Sequence, residues 1–375
     1  VSKLRVLIVD DAVVIRRIVS DVLASDPDIE VAGTAANGKI ALSKISQLNP
    51  DLVTLDVEMP EMDGLQTVRA IRKAHPKLPV IMFSTLTSRG ASTTLDALSA
   101  GASDYVTKPA NVGSVSVAIA RIREELIPKI KALCGRFSSA VQSSSAGTST
   151  AETSRRSTSA AVNAIPLREV PAGRANSSPV EIVVIGVSTG GPNALAEVIP
   201  AIPGNLPVPI LIVQHMPPVF TKALADRLNQ KSAITVKEAE NNEEAKPGCV
   251  YIAPGDFHMT VERAFTRRVI RLNQSAPENS CRPAVDVLFR SAAVAGGIAT
   301  LAVILTGMGQ DGLRGSQMLV ENGGRLIAQD EATSVVWGMP GFVARAGLAE
   351  KLFALDQIAG AIEQRVMERR RGVAA

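Results

Sequence analysis

Three short apolar runs, Val6-Leu7-Ile8-Val9, Leu52-Val53-Thr54-Leu55 and Val80-Ile81-Met82-Phe83, alternate with amphipathic stretches such as Ile15 to Leu23 and Gly64 to Lys73. Near-continuous apolar runs predict strands buried on both faces, and the helical segments between them supply the covering layers. This part of the chain therefore predicts a parallel α/β sheet. From about Phe137 to Pro179 neither period persists. Ser138-Ser139, Ser143-Ser144-Ser145, Thr148-Ser149-Thr150 and the stretch from Ser154 to Ser159 lie among alanines and prolines, a composition that predicts a flexible linker. Beyond it the same grammar returns, with runs at Ile182 to Val187, Ile210 to Val213, Val250 to Ala253, Leu301 to Leu305 and Arg325 to Ala328. The segment Arg263 to Leu272 alternates polar and apolar residues like a hairpin return strand, which predicts a second sheet that is mostly parallel but mixed. No internal repeat is visible.

Length and charge add bounds. With about 100–200 residues per domain, 375 residues suggest two domains, and the apolar content suffices for two cores. A net charge of +4, with basic and acidic residues interspersed, demands no nucleic-acid partner. The three cysteines, Cys134, Cys249 and Cys281, are odd in number and lack metal-ligand spacing, which argues against a disulfide framework or zinc site and fits a reducing cytosol. The first apolar run ends at Asp10-Asp11, too short for a signal segment, and no stretch approaches the ~18 apolar residues of a spanning helix. These features predict a soluble, cytoplasmic protein with no membrane insertion.

In the first unit the acidic residues fall at strand ends. Asp10-Asp11 closes one run and Asp56 another, and the carboxyl ends of parallel strands share the edge where ligands bind. Three carboxylates there repel one another unless a hard cation such as Mg²⁺ sits between them. Ser84 and Lys108 add a hydroxyl and an ammonium at the same edge. A single aspartate at a strand end is more often a helix cap or turn residue, but five coordinated positions outweigh that reading. The set Asp10-Asp11, Asp56, Ser84, Tyr105 and Lys108-Pro109 resembles the receiver domain of two-component response regulators over roughly Lys3 to Ile122. The resemblance implies a flavodoxin-like fold with a five-stranded parallel sheet and an aspartyl phosphate at Asp56. It implies Mg²⁺ held by Asp11, Asp56 and the Glu58 carbonyl with Asp10 behind them, a Ser84/Tyr105 switch with Lys108, and a cis bond before Pro109.

In the second unit Gly186-Val187-Ser188-Thr189-Gly190 follows a strand and precedes a segment that can be helical from about Pro192 to Ile199. Its glycines permit a sharp turn that exposes the hydroxyl, and N–H groups at a helix start can hold an oxyanion. Such a turn could equally cradle a phosphate. The histidines favour hydrolysis: of His75, His215 and His258, His215 ends the strand expected next to that of Ser188. Asp311, after the longest apolar run, is the candidate to orient it, the competing reading being an N-cap aspartate. The order Ser188, His215, Asp311 differs from that of α/β-hydrolases, so a different fold uses the same triad logic. His258 is the weaker base, in a hairpin-like turn with a substrate-facing or structural role. Cys281 has no histidine adjacent in sequence and reads as a buried small hydrophobe rather than a nucleophile.

The segments around Ser188, Gln214-His215-Met216-Pro217, Ala253 to Met259, Arg282 to Phe289, Thr306 to Gly312 and Ser334 to Pro340 occur in the order seen in the chemotaxis protein-glutamate methylesterases, and the chain resembles that family over nearly its whole length. The resemblance implies a Rossmann-like, three-layer α/β/α catalytic domain. It gives a receiver at 1–122, a helix end and linker at 123–178, and the catalytic domain at 179–375. It implies Ser188 as nucleophile, His215 as base and Asp311 as orienting carboxylate, with Met308 N–H as oxyanion donor and Thr189 in the pocket. The implied activity is hydrolysis of glutamyl methyl esters on methyl-accepting chemotaxis receptors and deamidation of receptor glutamines, with no cofactor for the hydrolysis. A chemotaxis sensor histidine kinase is the implied phosphodonor. Two features depart from the family pattern: Asn279-Ser280-Cys281 stands where relatives carry basic or histidine residues, and the linker is long. A receptor-binding module without turnover is the rival reading.

Overall fold

The computed structural model describes residues 2–108, 115–135, 178–265 and 267–368. The first unit runs β1 (Leu4–Val9), α1 (Val13–Ala24), β2 (Ile29–Ala35), α2 (Gly38–Leu48), β3 (Leu52–Asp56), α3 (Gly64–Ala74), β4 (Val80–Ser84), α4 (Ser88–Ser99), β5 (Asp104–Thr107) and α5 (Val115–Leu133). Its five strands are all parallel, in the order β2-β1-β3-β4-β5. The order reverses between β1 and β3, so Asp10 and Asp56 emerge at the switch point where such sheets open a crevice. The central strands β3 and β4 are buried at every position, which is why they are apolar nearly throughout. Local signals close the helices: a capping box of Asp63 and Gln66 starts α3, and Asn37 caps α2. The linker segment and the expected cis bond before Pro109 lie outside the described residues; the cis peptide bond among them precedes Pro283.

The second unit runs β6 (Ile182–Val187), α6 (Gly191–Val198), β7 (Ile210–Gln214), α7 (Phe220–Lys231), β8 (Thr235–Glu238), β9 (Cys249–Ile252), β10 (His258–Ala264), β11 (Arg267–Asn273), α8 (Val285–Gly296), β12 (Thr300–Ile304), α9 (Leu313–Glu321), β13 (Arg325–Gln329), α10 (Met339–Arg345), β14 (Lys351–Phe353) and α11 (Leu355–Met367). Seven strands form one sheet, β14-β13-β12-β6-β7-β9-β8. Every pairing in it is parallel. The mixed sheet expected from Arg263 to Leu272 is therefore corrected. That stretch holds a chain reversal at Phe265 with φ 54°, and β10 and β11 pair antiparallel as a separate two-stranded ribbon.

Apolar clusters cover both faces of the large sheet. One includes Ile185, Ile212 and Val303 with α6, α7 and α11; the other includes Val184, Val213 and Ile304 with α8. At roughly 1.5–3 kcal/mol for each fully buried Val, Ile, Leu or Phe, these layers fix the strand register and hence the edge from which the functional loops project. Among the described residues no helix is long and apolar enough to cross a membrane.

Candidate active site and its switch

The order of the large sheet reverses about β6, whose neighbours are β7 on one side and β12 on the other. Ser188 directly follows β6, His215 follows β7, and Asp311 lies in the loop after β12, so three residues distant in sequence lie at the same edge of the sheet, beside its switch point. Ser188 N donates to Thr306 O at 3.0 Å, and His215 N donates to Val187 O at 3.2 Å, extending the strand pairing into the loops. Buried Gln214 donates from its side chain to both the Ser188 and His215 carbonyls at 3.1 Å, tying the two loops together. Gly190 caps α6 at φ 77°, where a Cβ would also lie 2.6 Å from Val335 Cβ, so the turn needs glycine for conformation and space. A Cβ on Gly307 would lie 2.9 Å from Ser188 Cβ; its absence lets the loop carrying Met308 close on the serine.

His215 Nε2 lies 2.7 Å from Asp311 Oδ2, with 13 % of the imidazole and 3 % of the carboxylate side chain exposed. The N-cap reading of Asp311 is half right, for its carboxylate caps a different helix from the one that follows it. Oδ2 accepts from Val285 N at 2.6 Å and Oδ1 from Asp286 N at 3.0 Å, both at the start of α8. Asn279 Nδ2 completes the set, donating to Asp311 Oδ1 at 2.8 Å and to Asp286 Oδ2 at 3.0 Å. Burial alone would push the Asp311 carboxyl up, but His215 and the two α8 N–H groups outweigh it and hold the group down at about 2.

Sequence reading missed Asn279 as a site residue and placed Cys281 wrongly. Asn279 and Ser280 both have positive φ, 52° and 62°, and Glu278 and Cys281 exchange backbone hydrogen bonds across them, as in a type I′ turn. The turn brings Cys281, partly exposed rather than buried, to 3.6 Å between its Sγ and His215 Nδ1. Among the described residues no hydrogen bond joins Ser188 Oγ to His215, and the nitrogen not used by Asp311 faces the thiol. Burial pushes the imidazole down, yet its electrostatic interaction with Cys281 and the Asp311 hydrogen bond outweigh it and raise His215 to about 10. His258 is structural: 1 % exposed, it offers Nε2 to Ala276 O at 3.1 Å and accepts Ala284 N at Nδ1. Thr189 is buried, its carbonyl held by the Thr306 hydroxyl at 2.9 Å. The Met308 N–H has no acceptor among the described residues.

In the first unit the carboxylates of Asp10, Asp11 and Asp56 lie within 4.8 Å of one another, Asp10 and Asp56 buried and Asp11 exposed. Lys108 Nζ bridges the buried pair, 2.9 Å from Asp10 and 2.8 Å from Asp56. Burial dominates at Asp56 and raises its carboxyl to about 6 despite Lys108. Three carboxylates, one of them exposed, are hard oxygen donors that suit a Mg²⁺ ion. The Glu58 side chain lies 3.7 Å from Arg89, both of them exposed. Ser84 is turned toward α4: its Oγ donates to Gly90 O at 3.2 Å and accepts from Thr94 Oγ1 at 2.7 Å. Tyr105 is buried, its ring stacked on Phe220 at the start of α7 with centroids 4.8 Å apart. The same face carries Arg227 Nη1 to Asp96 Oδ1 at 2.5 Å, Arg227 Nη2 to Ser99 Oγ at 2.9 Å and Asn193 Nδ2 to Ala102 O at 3.4 Å. The first unit thus packs on α6 and α7, the helices that begin just after the Ser188 and His215 loops.

Comparison with known proteins covers both units. Residues 183–362 match the CheB methylesterase family, and residues 6–120 match the response regulator receiver domain. The chain is 54% identical, over 98% of its length and 96% of the relative's, to the protein-glutamate methylesterase/protein-glutamine glutaminase of Nocardioides sp.. It is 50% identical to the protein of the same name from Trichodesmium erythraeum, over 97% of this chain and 99% of that one. Among solved structures, the catalytic domain of Thermotoga maritima CheB methylesterase is 48% identical over 50% of this chain and 99% of that one, with a TM-score of 0.49.

Proposed function

Because the chain belongs to the CheB methylesterase family, we propose that it is a phosphorylation-controlled serine esterase that hydrolyses glutamyl methyl esters on chemotaxis receptors and deamidates receptor glutamines. The observation that carries the chemistry is the convergence of Ser188, His215 and Asp311 at the ends of β6, β7 and β12, with the histidine and aspartate 2.7 Å apart. Asp311 accepts a hydrogen bond from the Nε2–H and thereby fixes the tautomer that leaves Nδ1 as base. His215 Nδ1 takes the Ser188 proton as Oγ attacks the ester carbonyl. The oxyanion is met by the Met308 N–H, whose lack of another acceptor supports that role, with Thr189 walling the same pocket. His215 then gives the proton to the departing methoxide, which leaves as methanol, or to the departing amide nitrogen of a glutamine, which leaves as ammonia, and activates a water that frees the glutamate carboxylate. Removing one oxyanion donor from such a site costs about 10²–10³ in rate.

The receiver gates this site. It occupies residues 1–122, with the helix end and linker at 123–178 and the catalytic domain at 179–375. Asp56 is the phosphoacceptor and a sensor histidine kinase the donor. Asp11, Asp56 and the Glu58 carbonyl would hold Mg²⁺, with Asp10 behind them; the ion supplies neutralisation of the incoming phosphoryl charge. Lys108 pairs with a phosphoryl oxygen, and the Ser84 hydroxyl swings toward it, giving up Gly90 O and Thr94 on α4. Because α4 also carries Asp96 and Ser99 into the contact with α7, a change at its start weakens the docking. The test is methanol release from methylated receptor membranes by the full chain, with and without acetyl phosphate and Mg²⁺. Wild type should be stimulated and Asp56→Asn should not. Equal stimulation of Asp56→Asn would remove Asp56 as the acceptor, and no methanol from either protein would leave only a receptor-binding module.

A further inference from the structure

Cys281 is not an isolated thiol. Its sulfur, the His215 ring and the Asp311 carboxylate offer polar atoms within 4.8 Å of one another, in the order thiol, imidazole, carboxylate. Sγ is 3.6 Å from Nδ1, and Nε2 is 2.7 Å from Asp311. This is the order of groups that activates a nucleophile, here set on the histidine read as the base for Ser188. The rest of the setting holds it in place. The type I′ turn fixes the Cys281 backbone, Asn279 on that turn holds Asp311 and Asp286, and Cys281 is the group facing Nδ1. The other two cysteines are outside this cluster, Cys249 buried in its strand.

The geometry points to Cys281 as a modification site at which a hydroperoxide or other soft electrophile switches the esterase off by occupying the imidazole nitrogen that Ser188 requires. In the reactive form the Cys281 proton resides on His215 Nδ1. The thiolate attacks one peroxide oxygen: an S–O bond forms, the O–O bond breaks, and the proton from Nδ1 goes to the departing hydroxide. The products are a sulfenic acid, a neutral imidazole and water, with sulfur oxidised by two electrons and the peroxide reduced by two. The added oxygen then lies against Nδ1, as a hydrogen-bond competitor and a steric block to Ser188. Thiols reverse the step by forming a mixed disulfide and then reducing it. The inference rests on the reading of His215 as the base for Ser188.

The full-length protein is labelled with iodoacetamide at neutral pH, and alkylation at each cysteine is followed by mass spectrometry. Cys281 should react about tenfold or more faster than Cys249, and His215→Ala should slow Cys281 by a comparable factor. In parallel, methanol release is measured before hydrogen peroxide, after it, and after dithiothreitol. Wild type should lose about nine-tenths of its rate and regain it with the reductant, while Cys281→Ser and Cys281→Ala keep their own untreated rates. Equal loss in those variants, or full activity in protein shown to be modified at Cys281, would overturn the proposal. So would labelling of Cys281 no faster than of Cys249. If the untreated protein releases no methanol, the function proposed above fails, and the labelling rates alone still decide whether Cys281 and His215 act as a reactive pair.

Discussion

Arg227→Ala removes two polar contacts between receiver and catalytic domain without touching either site. The guanidinium donates to Asp96 and Ser99 across the interface, with 21% of the Arg227 and 46% of the Asp96 side chain exposed. A partly exposed ion pair contributes ~0.2–1 kcal/mol. The hydrogen bond to Ser99 adds about 0.5–1.5 kcal/mol, and buried Nε, which finds no acceptor, gives some of this back. A net loss of about 1 kcal/mol shifts the docking equilibrium roughly fivefold. The stack of Tyr105 on Phe220 and the Asn193 hydrogen bond remain, so docking is weakened and not abolished. If undocked molecules carry the basal activity, methanol release without phosphodonor should rise up to about fivefold while the fully phosphorylated rate stays constant. The stimulation ratio falls by the same factor. Asp96→Ala should act in the same direction, and the double variant should exceed neither single by much, since both remove one interaction. Unchanged basal rates in both folded variants, or an equal rise with and without phosphodonor, would refute gating through this face.

Asp56→Asn should stabilise the receiver in metal-free solution, because burial raises the carboxyl from 3.8 to about 6 and the ionised form is the costly one. The shift, in which the Lys108 contact is already counted, corresponds to about 3 kcal/mol against the ionised form. A raised carboxyl contributes stability below pH 3.8 that is lost as pH rises through about 6, so the variant's advantage should appear in urea titrations at pH 7.5 and vanish near pH 4; no gain at pH 7.5 would contradict the burial argument. The acidic limb of the methanol-release profile should lie above the ordinary histidine range, since His215 must lose its proton to act. Cys281→Ala should move that limb to lower pH by removing one of the two partners, with Asp311, that hold the imidazole up at about 10, and an unmoved limb would detach the thiol from the base. Asn279→Ala strips one donor from Asp311 and one from Asp286; kcat should fall roughly tenfold with KM little changed, and an unaltered kcat would make Asn279 structural only.

The strands that carry Ser188, His215 and Asp311 were legible because central parallel strands are apolar on both faces, and each ends at a polar residue that must serve the edge. Asp10 and Asp56 were legible for the same reason. The edge strands β2, β8 and β14 were not: β2 carries Glu30, Gly33 and Thr34 on a half-exposed ribbon, and β14 is only Lys351–Phe353. The turn at Phe265 was hidden by continuous alternation, which looks alike in one strand and in a tight hairpin. Cys281 was misread because proximity along the chain stood in for proximity in space; its partner lies 66 positions away, across the sheet edge. A signal was present, since Asn279-Ser280 between Glu278 and Cys281 can supply the two positive-φ residues of a type I′ turn, and asparagine tolerates that region well.

The central claim is that Ser188 performs the ester hydrolysis. Methanol release from methylated receptor membranes, measured with the fully phosphorylated full-length chain as wild type and as Ser188→Ala, tests it most directly. Deleting one hydroxyl at a strand-end turn leaves the packing intact, so the variant should keep the wild-type melting profile while its rate falls by about 10⁴ or more. A folded Ser188→Ala protein that releases methanol near the wild-type rate would contradict the account.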